Sequence, residues 1–192
     1  RSGVHHPLTG VGIHEQVAYD AEVLLAGLDN FDGSTITTAI NYMLYDGAFR
    51  KQHGGALIYF ENRWPHGLRK EFGRWRQMAP LTVVVEDLPQ DRNRVEVDPD
   101  GMPRVLHERV SDYATLGVQR SLARLATVVA PLPVERIEFR AMWPTLSHIQ
   151  GSLRMGADAS SSVVDSKQVH HHVRNLVVVG SAVFPSCSSA SP

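Results

Sequence analysis

The sequence predicts an α+β fold, in which an antiparallel sheet is combined with one long helix. Residues 81–106 contain three short segments of strand character that are separated by turn-forming residues. Residues 118–129 carry apolar side chains at helical spacing. Residues 176–179 form an uninterrupted apolar run, which is typical of a strand buried on both faces. Consecutive strands joined by turns and followed by a separate helix indicate the α+β class.

The strand predictions rest on β-branched residues and on the turns between them. Residues 81–86 (LTVVVE) are short and rich in valine, and the next segment, LPQDRN, carries proline, aspartate and asparagine at turn positions. Two further segments of strand character, Arg94–Val97 and Pro103–Leu106, lie on either side of a DPDG turn. We therefore predict an antiparallel meander of three strands.

The helix predictions rest on apolar spacing. Residues 34–45 carry apolar side chains near helical spacing, which predicts a short helix. A longer helix ends at Pro131 and Pro133, because proline breaks a helix interior. Its apolar face consists of four residues that step by four, three and four positions: Val118, Leu122, Leu125 and Val129. Residues 1–30, with three glycines between short apolar patches, indicate a loop with one or two strands.

Composition argues against several classes of partner. Nineteen basic residues against 20 acidic ones give a net charge of −1, which offers no electrostatic attraction for nucleic acid. The basic, aromatic segment 63–76 is accordingly interpreted as a solvated connection and not as a surface on which bases stack. No apolar run approaches the roughly 20 residues of a membrane-spanning helix. The composition does not indicate a cellular compartment.

Two cysteine and histidine features are interpreted as structural. Cys187 is the only cysteine, so an internal disulfide is excluded and a packing role is expected. His170, His171 and His172 are consecutive, and consecutive side chains of an extended segment point in different directions. We therefore predict that the chain has no metal site.

Residues 146–192 contain the most informative pattern. His148 precedes a turn bounded by Gly151 and Gly156, and an acid, an apolar run and a Gly-Ser-Ala sequence follow. Small residues at the end of a strand let the backbone approach a cofactor. No Lys-Ser/Thr pair follows Gly156, which excludes a nucleoside-triphosphate loop. Taken alone, His148 fits both a structural and a catalytic role.

The order of these residues resembles the C-terminal signature of the glucose–methanol–choline family of flavin-dependent oxidoreductases. A weaker likeness covers residues 81–101, and a faint one covers Arg1, His6 and Pro7. The signature itself is carried by His148, Gly151, Ser152, Arg154, Met155 and Gly156, then residues 162–165, then Val169, His170, Asn175, Leu176 and Val178, and finally Ser181, Phe184, Pro185 and Ser186.

The resemblance implies an FAD cofactor and assigns roles to the matching residues. His148 would act as the general base for a substrate hydroxyl. Ser191 would lie opposite His148, at a position where the family usually has Asn or His, and it is the departure that most affects the expected activity. Ser152 would place a small hydroxyl beside the base. The cofactor contacts would come from Gly180, Ser181, Ala182 and Pro192.

The substrate implied by the resemblance is a small sugar, polyol or alcohol. Many members have Asp where this chain has Gly180, whereas the branch that oxidises sugars and gluconate tends to have glycine, so we expect a member nearest to that branch. The electron acceptor is a possible further partner. A non-catalytic, degenerate copy that serves only as a structural or binding module is the alternative.

The resemblance also implies a division into domains. Residues 1–30 would follow the flavin domain, residues 31–147 would form the substrate-binding domain, and residues 148–192 would be the C-terminal part of the flavin domain, including its terminal strand. No G-x-G-x-x-G pattern occurs in the sequence. We therefore expect an N-terminal flavin-binding portion in the same or another chain as a partner.

Overall fold

The computed structural model describes residues 5–30, 37–61, 73–145 and 147–192. The chain divides into two compact units. The sheet unit consists of Val17–Glu86 and Asp112–Pro144, and the terminal unit consists of Arg1–Gln16, Asp87–Ser111 and Thr145–Pro192. Among the residues that the structure describes, an open antiparallel sheet is combined with one α-helix, which confirms the predicted α+β class. The predicted domain boundaries stay predictions.

The sheet unit is built on five antiparallel strands in the order β2-β3-β4-β1-β7. The central strand β1 aligns Val17 with Val85 on one side and with Pro144 on the other. The strands are β1 (Val17–Leu25), β2 (Thr37–Asn41), β3 (Ala56–Glu61), β4 (Met78–Val85) and β7 (Val134–Pro144). β1 and β4 are buried along almost their whole length. β4 is apolar except at Thr82, whereas β1 also carries Asp20 and the buried Glu22, which accepts two hydrogen bonds from Arg140.

One face of this sheet is covered by helix α1 (Asp112–Val128). Its buried residues are spaced so that they share one face of the helix: Ala114, Gly117, Val118, Ser121, Leu125 and Val128. The Tyr19 hydroxyl of β1 donates a 3.1 Å hydrogen bond to Ser121, and burial of the phenol raises the pKa of Tyr19 to about 12. Full burial of a leucine such as Leu125 contributes about 1.5–3 kcal/mol to stability. The predicted long helix is therefore confirmed, although it begins earlier than predicted.

Two predictions for the sheet unit are wrong. Residues 37–41, which were expected to be helical, form strand β2, because pairing with β3 (Asn41 opposite Ile58) outweighs the local helical spacing. Residues 34–36 of that predicted helix lie outside the described residues. The three-stranded meander is also wrong, since β4 pairs with β1 and β3, while β5 (Arg94–Val97) pairs with β6 (Pro103–Leu106) in a separate two-stranded sheet. Residues 86–93 connect β4 to β5.

The terminal unit contains the β5–β6 hairpin, a short 3₁₀-helix and loops linked by isolated bridges. Its small apolar core consists of Val163, Val164 and Val183, with Leu8, Leu153, Met155, Val178 and Phe184 packed around it. The buried strand predicted at residues 176–179 is wrong, because Val177 is 58% exposed, Val179 is 73% exposed and the segment makes only one isolated bridge within the described chain. A strand that is buried on both faces needs a packed layer over each face, and the high exposure of Val177 and Val179 shows that the described residues do not provide both layers here.

Short 3₁₀-helices occur at Ala48–Lys51, Trp75–Gln77 and Ser181–Val183. Most of the basic segment 63–76, namely residues 63–72, lies outside the described residues. Within the part of the chain that the structure describes, no helix has the length and apolarity needed to cross a membrane.

Candidate functional site

An antiparallel bridge brings the N-terminal part of the terminal unit against the segment that contains His148. His14 and Gln150 exchange two backbone hydrogen bonds, from His14 N to Gln150 O at 3.0 Å and from Gln150 N to His14 O at 2.8 Å. In an antiparallel register, moving two residues forward on one segment and two back on the other places Gln16 opposite His148. The side chains of these two residues do meet, in a hydrogen bond between His148 Nδ1 and Gln16 Oε1.

The Gln16 side chain holds His148 in one orientation and one tautomer. Gln16 is completely buried, and its Nε2 donates to Ser188 O and Ala190 O, both at 2.6 Å. Both amide hydrogens are thereby used, so the atom that faces His148 is the amide oxygen, which can only accept. The neutral imidazole must therefore carry its proton on Nδ1, which leaves the lone pair on Nε2.

This arrangement also connects the histidine to the end of the chain. Ala190, whose carbonyl is bound by Gln16, directly precedes Ser191 and Pro192. Ser191 and Pro192 are exposed, and the Ser191 hydroxyl has no partner among the described residues. The structure thus brings the segment of Ser191 to the segment of His148 through a shared contact with Gln16.

The predicted cofactor segment forms a tight turn beside the same site. Gly180 has a φ of +99°, in the region that favours glycine, and residues Ser181–Val183 form a 3₁₀-helix. The Ser181 hydroxyl donates to Ile149 O at 2.9 Å, which fastens this turn to the residue after His148. The N–H groups of Gly180, Ser181 and Ala182 find no acceptor in the part of the chain that the structure describes.

Gly151 permits a close approach of two segments at the site. A Cβ at Gly151 would lie 2.3 Å from Gly12 O and 2.8 Å from His14 Nδ1, which no side chain could tolerate. Ser152 follows with a φ of +78°, and its carbonyl accepts from Gly10 N at 2.7 Å. The Ser152 hydroxyl has no partner among the described residues, so no hydrogen bond joins it to His148.

Three buried polar atoms near the bridge lack a hydrogen-bond partner within the described chain: His14 Nε2, Gln150 Oε1 and Ser189 Oγ. Burial lowers the pKa of His14, so the ring is neutral, and its Nδ1–H donates to Gly12 O at 2.8 Å. Gln150 Nε2 is 3.3 Å from Cys187 Sγ, and Cys187 is buried.

Gln16, His14 and Gln150 were missed by sequence reasoning. A signal for them exists, because the pattern His-x-Gln occurs at residues 14–16 and again at residues 148–150. In extended segments, residues two apart lie on the same face, so an antiparallel pairing of the two patterns places each histidine opposite a glutamine. Nothing in the sequence states that these segments pair.

The histidine run lies away from this arrangement. The rings of His6 and His172 are 4.8 Å apart between centroids, and His170 packs edge-on against both. The Nδ1 of His170 accepts the N–H groups of His172 and Val173, and burial lowers the pKa of His170. Among the described residues, no group of three or more potential ligands could hold a metal ion.

A sequence model of the C-terminal domain of GMC oxidoreductases matches residues 89–192, which is more than half of the chain. The chain belongs to the GMC oxidoreductase family. This membership confirms the family resemblance, while the nearness to the sugar-oxidising branch stays a prediction. No curated protein matches the chain.

Solved structures resemble this GMC chain in fold. Pyridoxine 4-oxidase from Mesorbium loti superposes with a TM-score of 0.68 at 14% identity, covering 98% of this chain and 41% of that one. Formate oxidase gives a TM-score of 0.64 at 14% identity, with 98% and 45% covered. A formate oxidase variant (R554A) from Aspergillus oryzae RIB40, described for its effect on FAD modification, gives 0.62 at 14% identity, with the same coverage. The chain thus spans less than half the length of these structures.

Proposed function

We propose that this chain supplies the general base and part of the cofactor and substrate contacts of an FAD-dependent oxidoreductase that acts on a CH–OH group. The hydrogen bond between His148 Nδ1 and Gln16 Oε1 carries the proposal. It leaves the lone pair on Nε2 of a half-buried imidazole, and a base for a substrate hydroxyl needs that lone pair at neutral pH.

The proposed proton transfer uses groups of this chain alone. His148 Nε2 takes the hydroxyl proton while the carbinol carbon loses a hydride. Bound FAD supplies the acceptor for that hydride. The ring then carries a positive charge, and the bond from Nδ1 to Gln16 Oε1 becomes charge-assisted and stronger. Gln16 therefore stabilises the protonated base as well as orienting the neutral one.

The turn at Gly180, Ser181 and Ala182 fits the polar chain of FAD. Three consecutive N–H groups without acceptors among the described residues can donate to ribityl or phosphate oxygens. Apart from Gly180 and its two chain neighbours, no described residue has an atom within 4 Å of where a Cβ would stand at Gly180, so a ligand can approach the backbone there. Pro192 is included in the cofactor contacts from the family resemblance alone.

The proposed substrate is a sugar, a polyol or a simple alcohol. Ser191 offers an exposed hydroxyl next to the clamped Ala190, where it can bind the substrate oxygen. Ser152 offers a second hydroxyl four residues after His148. Glycine at position 180 supports the sugar-oxidising branch by the family pattern. An electron acceptor and the flavin-binding portion are the proposed partners.

The competing candidate is a degenerate copy that catalyses no reaction and serves only as a structural or binding module. Serine at position 191 favours this candidate, because a serine hydroxyl reaches less far than the amide of Asn and cannot act as a base. The intact support of His148 by Gln16 favours the enzyme, since a degenerate site has no need to hold a histidine in one tautomer.

The test is flavin reduction in the complete protein, measured by anaerobic stopped-flow with a panel of alcohols and sugars. His148→Ala should slow reduction by roughly 10²–10⁴-fold, the usual contribution of a positioned base. Ser147→Ala, one residue away and exposed, is the matched control and should leave the rate unchanged. A His148→Ala protein reduced at the parent rate would place the base elsewhere, and a parent protein that no panel member reduces would favour the non-catalytic candidate.

A further inference from the structure

A cavity in the sheet unit lies outside the site described above. Its volume is about 420 Å³, within the roughly 300–1,000 Å³ of small-molecule sites. One wall is helix α1, and the other is the segment between β2 and β3 together with the start of β3. The apolar part of the lining includes Met43, Leu44, Phe49 and Ala56.

Two of the polar side chains that line this cavity, Ser121 and His53, already make hydrogen bonds within the sheet unit. Ser121 accepts from the Tyr19 hydroxyl at 3.1 Å and donates to Val118 O at 2.9 Å. His53 bonds to Gly54 O through Nδ1 at 3.0 Å, and its ring stacks on Phe49 with 5.0 Å between centroids. A ligand inside the cavity therefore meets mainly apolar carbon and ring faces, and this favours an apolar body.

Two arginines give the cavity a positive rim. Arg120 and Arg124 line it, lie one turn apart on α1 and are exposed, so they stand where the cavity meets solvent. No carboxylate pairs with either of them in the described parts of the chain. The last turn of α1 contains no basic residue, so neither arginine compensates the helix dipole.

Like charges one turn apart repel, and an anion between them relieves that repulsion. Guanidinium groups bind carboxylates through paired N–H donors. Met43 is 57% exposed at the same cavity, and a methionine side chain adapts to irregular apolar ligands. An apolar interior with a cationic rim matches a molecule that has an apolar body and one carboxylate.

We propose that this cavity binds a small amphipathic monocarboxylate, with its apolar part against Leu44, Phe49 and Ala56 and its carboxylate between Arg120 and Arg124. The proposal concerns the sheet unit alone and does not depend on the oxidoreductase proposal. Such a ligand would stabilise the packing of α1 against the β2–β3 segment, because it binds the folded state only.

Isothermal titration calorimetry of the complete protein with octanoate tests this proposal. We expect one octanoate site for each chain, and at least tenfold weaker binding of octanamide, which has the same apolar body without the charge. The double variant Arg120→Gln/Arg124→Gln should lose at least tenfold in octanoate affinity. Ala123→Trp places a large side chain at the lining of the cavity without changing the charge, and it should also weaken octanoate binding at least tenfold.

The matched control is Arg92→Gln/Arg104→Gln, which removes the same charge from exposed arginines of the terminal unit and should bind octanoate like the parent. An unchanged thermal unfolding midpoint in each variant shows that the fold is retained. Three outcomes would overturn the proposal: no heat of binding at millimolar octanoate, equal binding of octanamide, or parent affinity in the Arg120→Gln/Arg124→Gln protein.

Discussion

Replacing Gln16 by methionine gives the sharpest test of the site, because it keeps the size of the side chain and removes three hydrogen bonds. The bonds lost are one from His148 Nδ1 and two from Gln16 Nε2 to Ser188 O and Ala190 O. The protonated base loses a bond to a charged group, worth about 1.5–3 kcal/mol. Since 1.4 kcal/mol is about tenfold in rate, flavin reduction should slow by roughly 10- to 150-fold.

A second substitution separates catalysis from mere structural support. In Gln16→Glu, the introduced carboxylate still accepts from His148 Nδ1 but cannot donate to Ser188 O and Ala190 O. A nearby negative charge favours the protonated form of an imidazole ring. A base works only when it is neutral, so the acidic limb of the pH–rate profile should move to higher pH. A structural role for Gln16 would not move that limb.

The assay is anaerobic stopped-flow reduction of the complete protein over a range of pH, together with the thermal unfolding midpoint. Gln119→Met, an exposed change of the same kind on helix α1, is the matched control and should leave both the rate and the profile unchanged. A Gln16→Met protein with the parent rate, or a Gln16→Glu protein with the parent pH profile, would refute the orienting role of Gln16.

Three further predictions concern FAD binding by the chain, Ser191 and His14. The 192-residue chain alone should bind FAD weakly or not at all, because it contains no G-x-G-x-x-G pattern; flavin fluorescence measures this, and tight stoichiometric binding would refute it. Ser191→Asn should slow flavin reduction, because we expect the small residues of PSCSSASP to be matched to serine in the complete substrate pocket, where the larger amide would clash; a faster rate across the substrate panel would show instead an impaired site. Burial lowers the pKa of His14, so at acidic pH the unfolded chain binds a proton that the folded chain does not, and the free energy of unfolding should fall as the pH drops below about 6.5. His14→Gln should make that fall less steep in denaturant titrations. An unchanged pH dependence in the variant would show that His14 is not its source.

The sequence was a good guide to elements that depend on local pattern. The β5–β6 hairpin follows from strand character on either side of the DPDG turn, and helix α1 follows from one apolar face ending near two prolines. It failed at residues 37–41 and at residues 176–179. In both cases the outcome depends on which strand lies alongside, and an apolar run carries no information about its neighbour.

The candidate site likewise has one part that the sequence reveals and one part that only the structure reveals. His148 and the Gly180 turn are recognisable from the order of residues over fewer than 50 positions, because the family pattern is local. The support of His148 is not local, since Gln16 is separated from it by 132 positions and is itself clamped to Ser188 and Ala190. Only a structure with both segments in register could reveal that contact.

By itself, therefore, the sequence determined the family, the α+β class and the identity of the candidate base, because these rest on residue types at short spacing. The tertiary structure decided which nitrogen of His148 carries the proton, which strands pair and where Arg120 and Arg124 meet a cavity. Those properties arise from contacts between distant segments, and such contacts are chosen by the combined packing and hydrogen bonding of the whole unit.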